Sequence, residues 1–440
     1  MAPTDAAPDS TRPLFPQLSS GRHGMPAAEV ERHQKARLEG AMVEATARHG
    51  FAGTTVAELV GLAGVSKTTF YQHFDSKQDC FLATFDAIID EVTARVSETY
   101  REPGDFRERL TRALSMFMEI AADEPAAASL AAIDSLTLGK AGVAHRERGS
   151  QAFGLMVRQS FDHSPSPIQV SDMTVRAIVA GIRGVVYRCL RAEEAKRLPS
   201  LVNELVEWAL AYQQEPGEMV LKALKAAERA QGDEEMGAAV DSSWEEPPDS
   251  ETSRRNLSQR ERIVRGAARL VVERGYDSLS IPAISGAAGV SNQTFYEHFQ
   301  SKRDPLLAAF RKMAEEGLRF AGSAFAAEGG RPEAVGAGVR AMMRYVAAHE
   351  LFARLAFLEL PTAGPVALDE ADDVLDRFSG FLHPPLLPPQ FEDPPATTTL
   401  HAIATGIWAT IQYEIVHGRR DALPALAPQI AWIALAPVNA

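Results

Sequence analysis

The sequence predicts an all-α fold made of two copies of one unit. Apolar residues recur at helical spacing along most of the 440 residues, with little of the alternation that is typical of strands. A stretch that begins at Gly64 recurs at Gly289, and the same offset of 225 positions relates Gly181 to Gly406 near the ends of the two halves. We therefore expect a tandem duplication of one helical unit.

Composition places the chain among globular proteins. It is 45% hydrophobic and 23% charged, and its net charge of −13 argues against nonspecific coating of nucleic acid. Cys80 and Cys189 do not make a disulfide framework, which indicates a reducing cytoplasm. There is no signal-like start, no run of eighteen apolar residues and no zinc spacing of Cys and His, so we expect no export, membrane span, metal or cofactor.

Each copy begins with a three-helix segment, which we call the head. Residues 1–27, rich in Pro, Ala and Ser, are expected to form a disordered arm. The first head is predicted over residues 28–85 and the second over residues 257–312. Their first helices share an apolar face, formed by Leu38, Met42 and Ala45 in the first copy and by Ile263, Ala267 and Leu270 in the second.

Two short helices follow in each head. Thr55 with Glu58 predicts a capping box at the start of the first of them, and Ser280 caps its counterpart. Gly64 and Gly289 then close a tight turn, which makes a helix-turn-helix.

The second short helix has an apolar face and a polar face. Serine caps it, two phenylalanines four positions apart are expected to be buried, and the remaining side chains suit phosphate oxygens and base edges. Serine caps are also expected at Ser76 and Ser301, which would place Lys77 and Lys302 at exposed helix N-termini facing phosphate. The predicted DNA-contacting set is Thr55, Ser66, Lys67, Thr68, Thr69, Tyr71, His73 and Lys77, with Ser280, Ser291, Asn292, Gln293, Thr294, Tyr296, His298 and Lys302 in the second copy.

These motifs resemble the DNA-binding signature of the TetR-type family of bacterial transcriptional regulators. The resemblance covers about Gly50 to Phe85 and Gly275 to Phe310, including Ala-Gly-Val-Ser and Thr-Phe-Tyr-x-His-Phe. It implies a double-stranded DNA operator as partner and a helical regulatory body after each head. It also implies that the body binds a small-molecule effector and that its final two helices form a dimer interface.

The bodies are predicted over residues 86–213 and 313–440. Asp134 and Glu359 correspond at the common offset and lie in otherwise apolar helices. Either acid could line an effector pocket, although a solvent-facing position or an ion pair with an arginine is the more common role of such acids.

An acidic linker is expected over residues 214–256, with a helical extension from Met219 to Ala230 at its start. If flexible, a linker of this length spans on the order of 35 Å, which matches the spacing of two heads on DNA. We therefore expect the two halves of one chain to form an intrachain pseudo-dimer, with a dimer of tandem chains as the alternative. Unlike residues at corresponding positions, such as Arg183 and Trp408, favour pairing of unlike halves.

The functional prediction is a ligand-released repressor and not an enzyme. Lys67 and Thr68 occupy the places of Asn292 and Gln293, so the heads are expected to read an imperfect palindrome. An enzyme would require a pocket with paired acid and base residues, and the sequence singles out none. A sensor or scaffold whose heads no longer read DNA is the other alternative.

Overall fold

Helices form nearly all of the described chain. The computed structural model describes residues 13–15, 26–164, 166, 168–228, 244, 250–251, 256–328, 333–380 and 397–438, and none of these lies in a strand. The helices of the first copy are α1 (Ala27–Gly53), α2 (Val56–Ala63), α3 (Lys67–His73), α4 (Lys77–Arg101), α5 (Phe106–Asp123), α6 (Pro125–Ala132), α7 (Gly139–Asp162), α8 (Asp172–Arg191) and α9 (Val202–Ala211). Short 3₁₀ turns, Asp134–Leu138 and Ala195–Leu201, precede α7 and α9.

The second copy repeats this order of elements. After α10 (Glu218–Glu228) come α11 (Gln259–Arg274), α12 (Ile281–Ala288), α13 (Asn292–His298), α14 (Asp304–Ala327), α15 (Glu333–Ala348), α16 (Glu350–Arg354), α17 (Pro365–Ser379), α18 (Thr397–Val416) and α19 (Ala427–Leu435). A π turn and a 3₁₀ turn, Leu355–Glu359 and Leu360–Ala363, precede α17, and Arg420–Leu426 precedes α19. The predicted all-α tandem duplication is confirmed.

The core of the first head forms where the sequence periodicity places it. Leu38, Met42 and Ala45 of α1 are fully buried, together with Phe70 and Phe81 from α3 and α4. Two arm residues, Leu14 and Phe15, also pack against this core, so the arm is not disordered throughout. The rest of the predicted arm, apart from Pro13, Pro26 and Ala27, lies outside the described residues.

Two helix caps differ from the expectation. Thr55 accepts the N–H of Glu58, but the Glu58 carboxylate lies 3.2 Å from Nε2 of His49, so only the Thr55 half of the predicted capping box has formed. In the second copy α14 begins at Asp304, and Ser301 lies before the helix and donates its hydroxyl to the Asp304 carboxylate.

The delayed start of α14 has a simple cause. In the first copy the N–H of Cys80 donates to the carbonyl of Ser76 and closes the first turn of α4, which begins directly after its serine cap. Pro305 occupies the corresponding position in the second copy and has no N–H to donate. The expected cap at Ser301 is therefore wrong, whereas the cap at Ser76 is confirmed.

The chain divides into two compact units, one holding Met1–Val175 and Ile182–Leu210 and the other holding Arg176–Gly181 and Ala211–Ala440. Part of the predicted linker belongs to the core of the second unit. Helix α10 buries Val220 and Ala223, and Gly336 of α15 approaches it so closely that an added Cβ would lie 1.9 Å from the Ala223 carbonyl oxygen.

A single tryptophan from the linker is also buried. Trp244 is 1% exposed, its Nε1 donates to Glu316, and the guanidinium of Arg265 lies 5.0 Å from its ring centre. The acidic stretches around Trp244, including Asp233–Glu235, lie outside the described residues. The described linker segments of this unit thus bury apolar side chains, on α10 and at Trp244.

Candidate nucleic-acid interface

Each head presents one short helix whose start is set by local contacts. Gly64 lies in the left-handed region at φ 59° and ψ 40°, and Gly289 at φ 62° and ψ 42°, a conformation that residues with a Cβ rarely adopt. Ser66 then accepts the N–H of Thr69 at 3.0 Å, and Ser291 accepts that of Thr294 at 3.0 Å. The turns of the two heads are therefore nearly superimposable in backbone conformation.

Phenylalanines anchor both helices. Phe70 and Phe295 are fully buried, and each makes an edge-to-face contact with the tyrosine that follows it. Those tyrosines point outward, since Tyr71 is 50% exposed and Tyr296 is 60% exposed. A large aromatic ring held partly in solvent on a rigid helix is well placed to contact a ligand such as DNA.

Most of the predicted DNA-contacting residues lie on the surface. Thr55, Ser66, Lys67, Thr68, Tyr71, Ser280, Ser291, Asn292, Gln293, Tyr296 and His298 are exposed, whereas Thr69, His73, Lys77, Thr294 and Lys302 are half-buried. Thr69 and Thr294 are partly covered because their hydroxyls bond to Ser66 and Ser291. Most of the predicted set is thus accessible to solvent in each head.

Lys77 and Lys302 take a different position from the one predicted. The Lys77 ammonium donates to the carbonyls of Phe51 and Thr54, both at 2.8 Å, and burial lowers its pKa. Lys302 donates to the carbonyl of Tyr276 at 3.0 Å. The expectation of exposed lysines facing phosphate is corrected, because both ammonium groups pair with backbone carbonyls of their own head; contact with DNA stays a prediction for both.

The exposed surfaces of the second short helix in each head, α3 and α13, differ chemically; we call these two helices the recognition helices. In the first head the Lys67 ammonium lies 6.0 Å from the centre of the Tyr71 ring, and Nε2 of His73 lies 3.3 Å from the Gln34 side-chain oxygen. In the second head the Gln293 amide donates to Glu297 at 3.4 Å. Lys67 thus gives the first surface a cation at the position where Asn292 gives the second surface an amide.

The two candidate pocket acids lie at the junction of head and body in their own copies. Asp134 accepts the backbone N–H of Phe51 at 3.1 Å. A Cβ built on Gly50 would lie 3.6 Å from the Asp134 carboxylate, and a Cβ on Gly275 would lie 3.9 Å from the Glu359 carboxylate. Burial raises the pKa of Asp134 to about 6, and the bond from Phe51 opposes that rise.

Sequence reasoning missed the role of the aromatic residue after Gly50. Phe51 donates its N–H to the body through Asp134 and accepts from α4 through Lys77. Tyr276 occupies the corresponding position and accepts from Lys302. An aromatic residue repeated after a repeated glycine is the signal that could have revealed this junction.

Among the described residues no group of three or more His, Cys, Asp or Glu side chains is arranged to hold a metal ion. None of the described helices has the length and apolar character needed to cross a membrane.

Comparison with known proteins agrees with the geometry of the heads. Residues 40–84 and 263–310 both match the family described as bacterial regulatory proteins, tetR family. The HTH-type transcriptional activator FasR of Mycolicibacterium smegmatis is 34% identical over 70 residues, which are 16% of this chain and 32% of that protein. The matched segment thus spans about a third of the relative's length.

The solved structures that resemble part of the chain include two regulators named FadR. FadR from Bacillus subtilis, solved in complex with stearoyl-CoA, is 17% identical, covers 39% of this chain and 96% of its own, and gives a TM-score of 0.37. The fatty acid degradation regulator FadR from Bacillus halodurans is 16% identical, covers 40% of this chain and 94% of its own, and gives a TM-score of 0.38.

Both heads thus combine helix-turn-helix geometry with a match to the same family of bacterial regulatory proteins. The chain therefore carries two segments of the tetR family type in one polypeptide.

Proposed function

We propose that this regulator is a ligand-released repressor whose two unlike heads bind one imperfectly palindromic operator. The observation that carries the proposal is that α3 and α13 expose different side chains although the turns before them have nearly the same backbone conformation. Lys67 and Thr68 open one recognition helix, and Asn292 and Gln293 open the other. Lysine pairs well with guanine, and asparagine and glutamine pair well with adenine, so the heads prefer different half-sites.

Effector release follows from a shift between two conformations. A small molecule releases the operator only if it binds the DNA-free conformation more tightly than the DNA-bound one. The bond between Asp134 and Phe51 supports a route for this coupling, because it joins the turn before α7 to the end of α1. A change in the body that moves this turn changes the support of the first head.

An intrachain pseudo-dimer is the proposed assembly. It is supported by first-copy residues that belong to the second compact unit, which includes Arg176–Gly181. Within that unit the Tyr212 hydroxyl donates to the Ile433 carbonyl at 2.9 Å, and a Cβ on Gly406 would lie 2.7 Å from the Ala177 carbonyl oxygen. Light scattering at nanomolar to micromolar concentration tests this: a mass near 47.7 kDa supports the pseudo-dimer, and a persistent doubled mass supports a dimer of tandem chains.

Selection of binding sites from random DNA tests the reading of the operator. The expected result is a site with two different half-sites about one helical turn apart, bound by one chain. A perfectly symmetric site would contradict unlike heads. Failure to select any sequence, with normal folding of the protein, would favour a helical sensor or scaffold in which the heads are unused.

A further inference from the structure

In the first copy, an acid on α4 lies against two basic side chains on α7. Nδ1 of His145 lies 2.7 Å from the Asp86 carboxylate, and Arg148 forms an ion pair with the same carboxylate at 3.2 Å. Arg148 is always charged, and His145 adds a second positive charge when it is protonated. The first copy therefore carries its negative charge on α4 and its positive charge on α7.

The second copy has a contact of the same kind with the charges exchanged. Nε of Arg311, on α14, donates to the Glu370 carboxylate, on α17, at 2.6 Å. This bond to Glu370 raises the pKa of Arg311, and the charges of Glu370 and Asp373 raise it further. All three residues lie 225 positions after those of the first cluster, which is the offset that relates the two copies. Here the positive charge belongs to α14 and the negative charge to α17.

Side-chain sizes are exchanged at a neighbouring contact in the same way. A Cβ built on Gly149 of α7 would lie 3.2 Å from Cγ2 of Ile89 on α4, so the missing side chain on α7 makes room for the large one on α4. At the corresponding positions of the second copy, Ala314 on α14 is the smaller residue and Val374 on α17 is the larger, and both are buried. The larger residue thus changes sides between the copies.

An exchange of helices between the copies would therefore be unfavourable. Packed on α4, α17 would bring Glu370 against Asp86, where two negative charges repel each other. It would also bring Val374 against Ile89, where the present space fits a glycine. The reverse exchange, with α7 packed on α14, would place two arginines together and leave a gap between two small residues.

Such an exchange is a recognised hazard for a chain of this type. Neighbouring domains of related sequence are prone to misassembly and swapping. The helices α4 and α7 are not consecutive, so α7 has to find α4 in a chain that also contains α14. A single exposed ion pair contributes little to stability, and discrimination therefore depends on charge and size acting together.

We propose that α7 pairs selectively with α4, and α17 with α14, because each of these pairs matches in charge and in size whereas each exchanged pair does not. The partner that each surface fits is thus a segment of its own copy. The two pairing surfaces are Asp86, Ile89, His145, Arg148 and Gly149 in the first copy, and Arg311, Ala314, Glu370, Asp373 and Val374 in the second. This inference does not depend on the proposed repressor function, since it concerns assembly within each copy.

Transplanting one face at a time into the full chain tests the selectivity. The triple variant His145→Glu, Arg148→Asp and Gly149→Val gives α7 the face of α17. The double variant Asp86→Arg and Ile89→Ala gives α4 the face of α14. Each transplant alone is expected to lower the folding equilibrium constant by about tenfold or more, as measured by urea unfolding. The chain with all five substitutions is expected to recover most of that loss, because its two faces match again.

The charges are also tested without the close glycine contact, so that a folding defect of Gly149→Val does not decide the result. Asp86→Arg alone, and His145→Glu with Arg148→Asp, are each expected to lower the folding constant by about two- to fivefold, and their combination to restore it. The coupling should weaken as salt is added. The matched control is Glu98→Arg, which makes the same charge reversal at an exposed position of α4 and should have the same effect with either face on α7.

Refolding tests whether the mismatch prevents exchange. The chain with all five substitutions carries the same pairing surface in both copies, so it keeps the matched contacts but loses the discrimination between them. After dilution from urea at equal concentrations, light scattering is expected to show a larger share of misassembled chains for this variant than for the original chain. Stability losses that simply add when the two faces are combined, or equal refolding of the two chains, would overturn the proposal.

Discussion

The carboxylate of Asp134 accepts the backbone N–H of Phe51 at 3.1 Å, across 83 positions of sequence. This bond ties the regulatory part of the first copy to the end of its first helix. The carbonyl of the same Phe51 accepts from Lys77, so one residue links α1, α4 and the turn before α7. The stability of the head and, in the proposed repressor, the response to an effector therefore meet at this residue.

Replacement of Asp134 tests whether ionisation of this buried acid lowers the stability of the chain. The pKa of Asp134 is raised from 3.8 to about 6, chiefly by burial, so its contribution to stability is full below about pH 4 and is lost as pH rises through 6. Asp134→Asn still accepts from Phe51 but does not ionise. We expect it to be more stable than the original chain by about 1–3 kcal/mol at pH 7.5 and equally stable near pH 4.

Urea unfolding of the first unit at both pH values measures this difference. Asp134→Ala is the control, since it removes the acceptor and is expected to destabilise the chain at either pH. An advantage of Asp134→Asn that is the same at pH 4 and pH 7.5 would show that ionisation is not involved.

The two lysines of the first head are expected to have separate roles. Lys77→Met removes the donor to two carbonyls and is expected to cost about 1–3 kcal/mol of folding free energy. Lys67→Met removes an exposed cation and is expected to change stability by less than about 0.5 kcal/mol. It should reduce the slope of log affinity for the operator against log salt by about one unit.

Chemical denaturation and operator titrations at several salt concentrations distinguish these roles. Lys77→Met is expected to leave the salt slope unchanged once enough protein is folded. A loss of slope in Lys77→Met without a loss of stability would instead mean that its ammonium turns outward to a phosphate in the complex.

Giving both recognition helices the same two opening residues is expected to make the two half-sites of the preferred operator the same. Lys67→Asn combined with Thr68→Gln gives the first helix the opening residues of the second. Each good base pairing contributes about 1–3 kcal/mol of discrimination, so the preference should shift by roughly tenfold or more at those bases. Sequencing of DNA selected by both proteins measures the change.

The reciprocal variant, Asn292→Lys with Gln293→Thr, is the matched control. It is expected to select a symmetric site built from the other half-site. Identical selected sites for both variants and the original chain would mean that these four positions do not read bases.

The linker tryptophan is expected to stabilise the second unit. Trp244→Ala removes a side chain that is 1% exposed, together with its bond to Glu316, and is expected to cost about 3–5 kcal/mol. Leu221→Ala on α10 is the control, because Leu221 is 43% exposed and its loss should be nearly neutral.

Denaturant unfolding followed by circular dichroism measures both variants. The stability of Trp244→Phe should fall between those of Trp244→Ala and Leu221→Ala, since Trp244→Phe retains a buried ring but loses the indole N–H. Equal stability of Trp244→Ala and the original chain would show that the buried ring contributes nothing to the unit.

The features that could be predicted best are those made by neighbours in sequence. Ser66 caps α3 by accepting from Thr69, three positions later, and Gly64 ends α2 in the left-handed region. The start of α14 was mispredicted because Pro305 removes one N–H from a pattern that otherwise repeats. A small local change therefore altered an element that the repeat alone predicted.

The sequence by itself determined the duplication, the helical class and the outward face of both recognition helices, because caps, turns and apolar periodicity depend on residues a few positions apart. Only the tertiary structure decided where Lys77, Asp134 and Trp244 point. Their partners lie 26, 83 and 72 positions away along the chain, and no local pattern specifies such contacts. A lysine at a helix start, an acid in an apolar helix and a tryptophan in an acidic linker each suit solvent or the interior, and the packing around them selects the interior.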